Sequence, residues 1–164
     1  MKLSADIVFD NLPESLSARM TGPKELELGL GRPELLESGD KPFKRGHLYL
    51  LDAGRIPQRA HAERGAVIVC IGDSPRLARY RDRCCVIELS DSADFFTTFN
   101  TLQHIYDRFD AWEDDINRII ERDGDISRML TRSEDIFCNP LFAIDADFRM
   151  LGASRMAVDL EEGL

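Results

Sequence analysis

Ala66-Val67-Ile68-Val69-Cys70-Ile71, followed at once by Gly72-Asp73-Ser74-Pro75, is the stretch whose reading decides the fold. A continuous, mostly β-branched run leaves no polar side for solvent. It therefore reads as a strand buried on both faces, as in parallel sheets covered by helices. Gly72 to Pro75 ends it, and Ser74-Pro75 opens a short helix through Tyr80. Upstream, His47-Leu48-Tyr49-Leu50-Leu51 reads as another strand, ended by Asp52-Ala53-Gly54. Downstream, Cys84 to Leu89 reads as a third. Residues 1–90 are thus expected to form an α/β domain with a largely parallel sheet and flanking helices.

The same reading extends to the N-terminus. Ile7-Val8-Phe9 is expected to be a first strand. Pro13 then opens a helix with Leu16 and Met20 on one face, stopped by Gly22-Pro23. Glu25 to Leu30 alternates with period two, which predicts a half-exposed strand. Pro33 to Glu37 has the makings of one helical turn, and Ser38 to Pro42 of a loop. Ile56 to Glu63 reads as a short helix or loop. Gly29-Leu30-Gly31 begins like a dinucleotide loop, but Arg32 and Pro33 follow and no third Gly comes at the needed spacing.

From Asp91 to Asp123 no Pro or Gly occurs. Phe95, Leu102, Phe109 and Ile116 recur as one row, and Phe99, Tyr106, Glu113 and Ile120 as a second. The alternating spacing predicts a helix of about nine turns with one apolar stripe, capped by Asp91 and Ser92. Two readings are open: a ridge packed in the chain's own core, or the seam of a homodimer. Glu113 breaks the second row, which would make a dimer seam suboptimal and shiftable. After Gly124, residues Ile126 to Phe137 suggest another amphipathic helix with a possible bend at Ser133-Glu134-Asp135. Asn139-Pro140 stops it. Leu141 to Ser154 then reads as a β-hairpin around an Asp-rich turn.

The chain carries a net charge of −9, with 43% hydrophobic and 31% charged residues. Such a balance repels phosphates and argues against this segment itself holding DNA or an anionic membrane. No apolar run reaches spanning length and no signal-like leader opens the chain, so a cytoplasmic location is expected. The four cysteines, Cys70, Cys84, Cys85 and Cys138, lack C-x-x-C spacing and are expected to be reduced. His47, His61 and His104 form no zinc pattern with them, so neither metal nor cofactor is expected. Arg76, Arg79, Arg81 and Arg83 form a basic cluster, read as a solvated helix face in preference to an anion site.

Two pieces carry a family resemblance. Gly46-His47-Leu48-Tyr49-Leu50-Leu51 with Gly65-Ala66-Val67-Ile68-Val69 resembles the N-terminal domain of PucR-type (purine catabolism) transcriptional regulators. Asn139-Pro140-Leu141-Phe142 through Gly152-Ala153-Ser154 resembles the opening hairpin of PAS- or GAF-like sensor domains. The resemblance implies a regulatory α/β domain at 1–90, a linking or dimerisation segment at 91–138, and at 139–164 the start of a truncated sensor domain. It also implies a multidomain cytoplasmic regulator that dimerises, answers a small-molecule effector, and binds DNA only through a helix-turn-helix absent from this chain. It carries over no ligand-binding residue.

Ligands of parallel sheets favour the loops beyond the strand C-termini. The candidate binding residues are therefore Asp52, Gly54, Gly72, Asp73 and Ser74, and the candidate dimer residues Phe95, Phe99, Leu102, Tyr106, Phe109, Ile116 and Ile120. No catalytic residue is nominated. Ser74 is followed by Pro75, which removes the N–H an oxyanion hole would use. Asp145 and Asp147 suit a turn. The alternatives are a small α/β enzyme, or a receiver-like phosphoacceptor domain built on Asp52, although Asp10 stands alone and no strand-end Lys follows Leu89.

Overall fold

The computed structural model describes residues 1–25, 27–36, 41–59 and 61–162. Two compact units make up the chain, Met1–Tyr106 and Asp107–Leu164. The first contains α1 (Ala5–Asp10), β1 (Arg19–Thr21), β2 (Glu34–Leu35), β3 (Leu48–Asp52), β4 (Val67–Ile71), β5 (Cys85–Leu89) and the opening turns of α2 (Phe95–Arg122). The strands form one sheet in the order β1-β5-β4-β3-β2. Strands β2 to β5 run parallel, and β1 lies antiparallel against β5. The expected α/β class with a largely parallel sheet is what the chain adopts.

Strands β3, β4 and β5 fall where the apolar runs placed them, and every residue of β4 and β5 is buried. One sheet face carries Tyr49, Leu51, Ile68, Cys70 and Val86 under Phe43, Ile56, Leu77 and Tyr80. Phe43 meets both Tyr49 and Tyr80 edge-on, at 5.3 Å between ring centroids. Alternation puts Leu48, Leu50, Val67, Val69 and Ile87 on the other face, also buried. Val8 of α1 and Leu102 and Tyr106 of α2 have no exposed surface and complete the first unit's core. Among the described residues, the crossovers from β3 to β4 and from β4 to β5 contain short helical turns, Ala53–Arg55 and Pro75–Arg79. Ser74 caps the second, accepting from the Arg76 N–H, so the expected helix through Tyr80 is a short 3-10 turn.

Local chemistry overrides several expectations in the first ninety residues. Ile7-Val8-Phe9 is helical, not a strand: Ser4 accepts from the Ile7 N–H and caps α1, with Asp6 in its first turn. The helix expected through Met20 is a single 3-10 turn, Glu14–Leu16, because Ser17 turns left-handed at φ 46°. Arg19–Thr21 then extends as β1. Glu25 to Leu30 is no strand. Leu28 closes a turn on the Glu25 carbonyl, and only Leu30 pairs, bridging Leu3; Leu26 lies outside the described residues. Glu34–Leu35 is not a helical turn but the edge strand β2. Glu37 and the loop from Ser38 to Asp40 lie outside the described residues.

Glu88 explains why so short a strand as β1 holds. Its carboxylate is almost wholly buried and accepts from Arg19 across the β1–β5 pair at 2.6 Å, and from Arg81. Burial raises the pKa of Glu88, but the two guanidinium hydrogen bonds outweigh it and hold the group below the ordinary carboxylate range. A lowered native pKa stabilises the fold above the unfolded pKa, and that contribution disappears as pH falls through the native one. Glu88→Gln is therefore expected to cost about 1.5–3 kcal/mol at neutral pH. Urea titrations should show the gap between wild type and variant closing below about pH 4.

In the second unit, α3 (Ile126–Phe137) is one unbroken helix without the bend considered at Ser133. Asp125 caps it by accepting from the Arg128 N–H, and Cys138 ends it at φ 51°. Ser133 lies buried inward, where it receives the Trp112 indole N–H at 3.0 Å and donates to the Met129 carbonyl. The hairpin expected at the C-terminal side is present as β6 (Phe142–Ile144) and β7 (Met150–Ala153), a two-stranded sheet of its own. A further helix, α4 (Arg155–Glu162), follows it and was not foreseen.

The long helix is continuous for 28 residues, with its cap moved to Asp94, which accepts from the Thr97 N–H at 2.8 Å. The expected first row is kept and the second holds as far as Tyr106; beyond it the stripe shifts by one residue, from Glu113 and Ile120 to Trp112 and Ile119. Thr98, Leu102, Ile105, Tyr106 and Phe109 are buried; Trp112, Ile116 and Ile119 are half-buried. Glu113 is exposed and Ile120 is 55% exposed. The row Leu102-Ile105-Phe109-Trp112-Ile116-Ile119 keeps the heptad spacing without a charged interruption. The apparent seam defect at Glu113 is therefore a surface residue one position off the stripe.

Candidate functional site

The three central strands end level, with Asp52 beside Ile71 and Ile71 beside Leu89. That register gathers all five candidate binding residues at one end of the sheet. Asp52 accepts from the Gly54 N–H at 2.8 Å and so shapes the turn after β3. Gly72 adopts φ +86° and donates to the Leu89 carbonyl. A Cβ on Gly72 would meet Asp91 Oδ1 at 2.5 Å and Ala53 Cβ at 3.3 Å, so the loops after β3, β4 and β5 touch there. Asp73 is exposed, and the Ser74 hydroxyl serves the following turn. The Asp52 carboxylate that a phosphoacceptor would need is engaged by its own turn.

A recess that the sequence reading did not find lies beside the β2–β3 edge. It has a volume of about 370 Å³ and is lined by Glu34, Leu36, Lys41, Lys44, His47 and Tyr49, among others. Glu34 and Tyr49 are register partners, so the parallel pairing of β2 with β3 builds its floor. His47 Nδ1 lies 2.9 Å from Glu34 Oε1, and the imidazole stacks on the Tyr49 ring at 5.9 Å. The Tyr49 hydroxyl accepts from the Lys44 N–H at 3.2 Å, while burial raises its pKa. This wall offers a flat aromatic surface beside cations and a carboxylate, which suits a small polar ring or a short acid. Arg45-Gly46 before β3 is repeated as Arg64-Gly65 before β4, with both glycines at positive φ, but the repeat marks the entries to the strands and gives no sign of the recess.

Among the candidate dimer residues, Leu102, Tyr106 and Phe109 are buried within the chain, Phe95, Phe99 and Ile116 are half-buried, and Ile120 is exposed. The Arg55 guanidinium sits over the Phe95 ring, 5.9 Å from its centroid. Arg79 donates to the Gln58 carbonyl and Arg81 to Glu88. The basic cluster is therefore partly engaged with the protein itself.

All four cysteines are free thiols. Burial pushes Cys70 up to about 12, and Cys84 and Cys85 to about 11, so all three are protonated at neutral pH. Cys138 is exposed. Native protein should thus react with a chromogenic disulfide reagent at Cys138 alone, the other three thiols appearing only in denaturant. Fast labelling of Cys84 or Cys85 would show that β5 is not packed as described.

Among the described residues, no group of three His, Cys, Asp or Glu side chains is placed to hold a metal ion, and no helix is long and apolar enough to cross a membrane. Comparison of the chain with family models, with curated proteins and with solved structures returned no match.

Proposed function

We propose that this chain is the signal-sensing and dimerisation segment of a cytoplasmic transcriptional regulator, non-catalytic in itself and similar in plan to the PucR-type proteins. The observation that carries the reading is α2. One helix of 28 residues begins in the α/β unit and continues into the unit bearing the hairpin. A small effector bound in the first unit, with the recess of His47 and Tyr49 as a candidate place for it, would favour one arrangement of that helix over another. The bias can be no larger than the effector's difference in affinity for the two states. DNA contact would belong to another domain, because this chain is acidic.

The test is a fusion. The whole chain is placed ahead of a DNA-binding domain that represses a reporter only as a dimer. Repression well above that of the unfused domain, altered by small carboxylates or nucleobases and blunted by His47→Ala, is the expected outcome. Repression no greater than the unfused domain would contradict the proposal.

A further inference from the structure

Residues 53–66 and 72–84, the crossovers after β3 and β4, hold seven arginines and no lysine against three acids, in a chain whose net charge is −9. Both crossovers cover the same face of the sheet, through Ile56, Ala62, Leu77 and Tyr80. They also bond to each other. Arg76 donates to the Ile56 carbonyl at 3.3 Å, Arg79 to the Gln58 carbonyl, and the Tyr80 hydroxyl to the Pro57 carbonyl at 3.0 Å. Positions 76 and 79, three apart in a 3-10 turn, share one side of it. Arg55 and Arg59 flank the strip that they reach, and Arg83 follows on the same crossover.

Two of the seven arginines are neutralised, Arg64 by Glu25 at 3.8 Å and Arg81 by Glu88. The other five are exposed, and among the described residues none of them meets a carboxylate. Of the three acids, Glu63 is turned to the Arg45 N–H. That leaves Asp73 and Asp82 against five guanidiniums. The carbonyl bonds of Arg76 and Arg79 use one of five donors each and hold both groups in place. Acids elsewhere in the chain act weakly here, because physiological salt screens exposed charges beyond about 8 Å.

The character of this face selects its occupant. None of the large apolar side chains exposed among the described residues lies between Leu35 and Phe96. Protein interfaces are held by aromatic and aliphatic anchors, and helices lying on membranes by an apolar face. This surface has neither. A phosphate backbone needs neither, since its affinity comes from cations that release its counterions. Planar guanidinium forks also match phosphate oxygens better than lysines do. We infer that the crossover face of Arg55, Arg59, Arg76, Arg79 and Arg83 binds the phosphate backbone of a polynucleotide without reading its bases. The inference goes beyond the proposed function, in which base-reading contact belongs to another domain, and it does not depend on dimerisation.

Fluorescence anisotropy of labelled probes of about 20 nucleotides, titrated with the intact chain, tests it. Single-stranded DNA, single-stranded RNA and duplex DNA form separate arms. At least one is expected to bind at about 10–100 μM in about 50 mM salt, and about 10-fold more weakly when the salt is doubled. Arg59→Gln with Arg83→Gln removes two guanidiniums that hydrogen-bond to nothing else among the described residues. That pair should weaken binding about 5-fold or more and flatten the salt dependence. Arg59→Lys with Arg83→Lys keeps the charge and should retain most of the binding. Arg118→Gln with Arg122→Gln takes the same charge from α2 and should leave binding within about 2-fold. If the first pair lowers the thermal midpoint, Arg59→Gln alone supplies the comparison, and it too should flatten the salt dependence. No binding to any probe at about 200 μM protein overturns the inference. So does binding that the folded crossover variants leave unchanged, or that the α2 pair weakens equally. Tighter binding to anionic lipid vesicles than to every polynucleotide overturns it as well.

Discussion

Gly22→Ala is expected to destabilise the first unit by at least about 3 kcal/mol, a large share of the stability of a typical domain. Gly22 follows β1 at φ +86°. An ideal Cβ there would lie 2.2 Å from the Cys84 carbonyl oxygen and 2.9 Å from that of Arg81. Both atoms are backbone, so no side chain can swing away to make room. The backbone conformation itself disfavours any L side chain. The clash would push the chain after β1 away from the start of β5, in the region where Glu88 holds Arg19 and Arg81. Thermal unfolding of the variant should show a transition lowered by more than 10 °C, since about 1 kcal/mol moves the midpoint of a domain this size by several degrees. Wild-type stability would contradict the close approach of Gly22 to Cys84.

The second large effect distinguishes the two phases of the α2 stripe. Leu102 has no exposed surface. Leu102→Ala removes its transfer energy and leaves a cavity, at a cost of about 2–5 kcal/mol. Tyr106→Ala, equally buried, should cost about as much or more, since it empties a larger volume. Ile120 occupies an equivalent place in the heptad row as read from sequence, yet it is 55% exposed, so Ile120→Ala should stay within about 0.5–1 kcal/mol. Equal costs at Leu102 and Ile120, measured by urea unfolding at low protein concentration, would restore the second row as read from sequence.

The parts of this fold legible in sequence are those where many residues say the same thing. Val67 to Ile71 and Cys85 to Leu89 are buried at every position, and only Glu88, which Arg19 and Arg81 pair, interrupts the two apolar runs. The α2 spacing persists through so many turns that its existence was plain even though its phase was not. Phe99, Tyr106 and Ile120 are as apolar as Thr98, Ile105 and Ile119. Only Trp112 against Glu113 separates the two rows, and the charged residue is the one left outside. The failures are short elements decided by tertiary partners. β1 is held by Arg19 reaching Glu88, and β2 by pairing with Tyr49 and Leu50. α1 turned on a single Ser4 cap that outweighed the β preference of Ile7 and Val8.

The candidate site divides in the same way. The loops after β3 and β4 could be foreseen because parallel strands end on one side, which brought Asp52, Gly72, Asp73 and Ser74 together. The recess near His47 could not, because its walls come from residues 34–36 and 41–49, whose meeting depends on the unforeseen β2–β3 pairing.

Hydrogen exchange read by mass spectrometry across residues 95–122 bears most directly on the account, because fold and function alike depend on α2 being one helix whose Leu102-to-Ile119 row is protected. The expectation is a continuous block of slow amides from about Phe99 to Ile119, fraying only at its ends. A fast-exchanging break near Asp107 to Asp110, dividing the helix into two separately protected pieces, would contradict it.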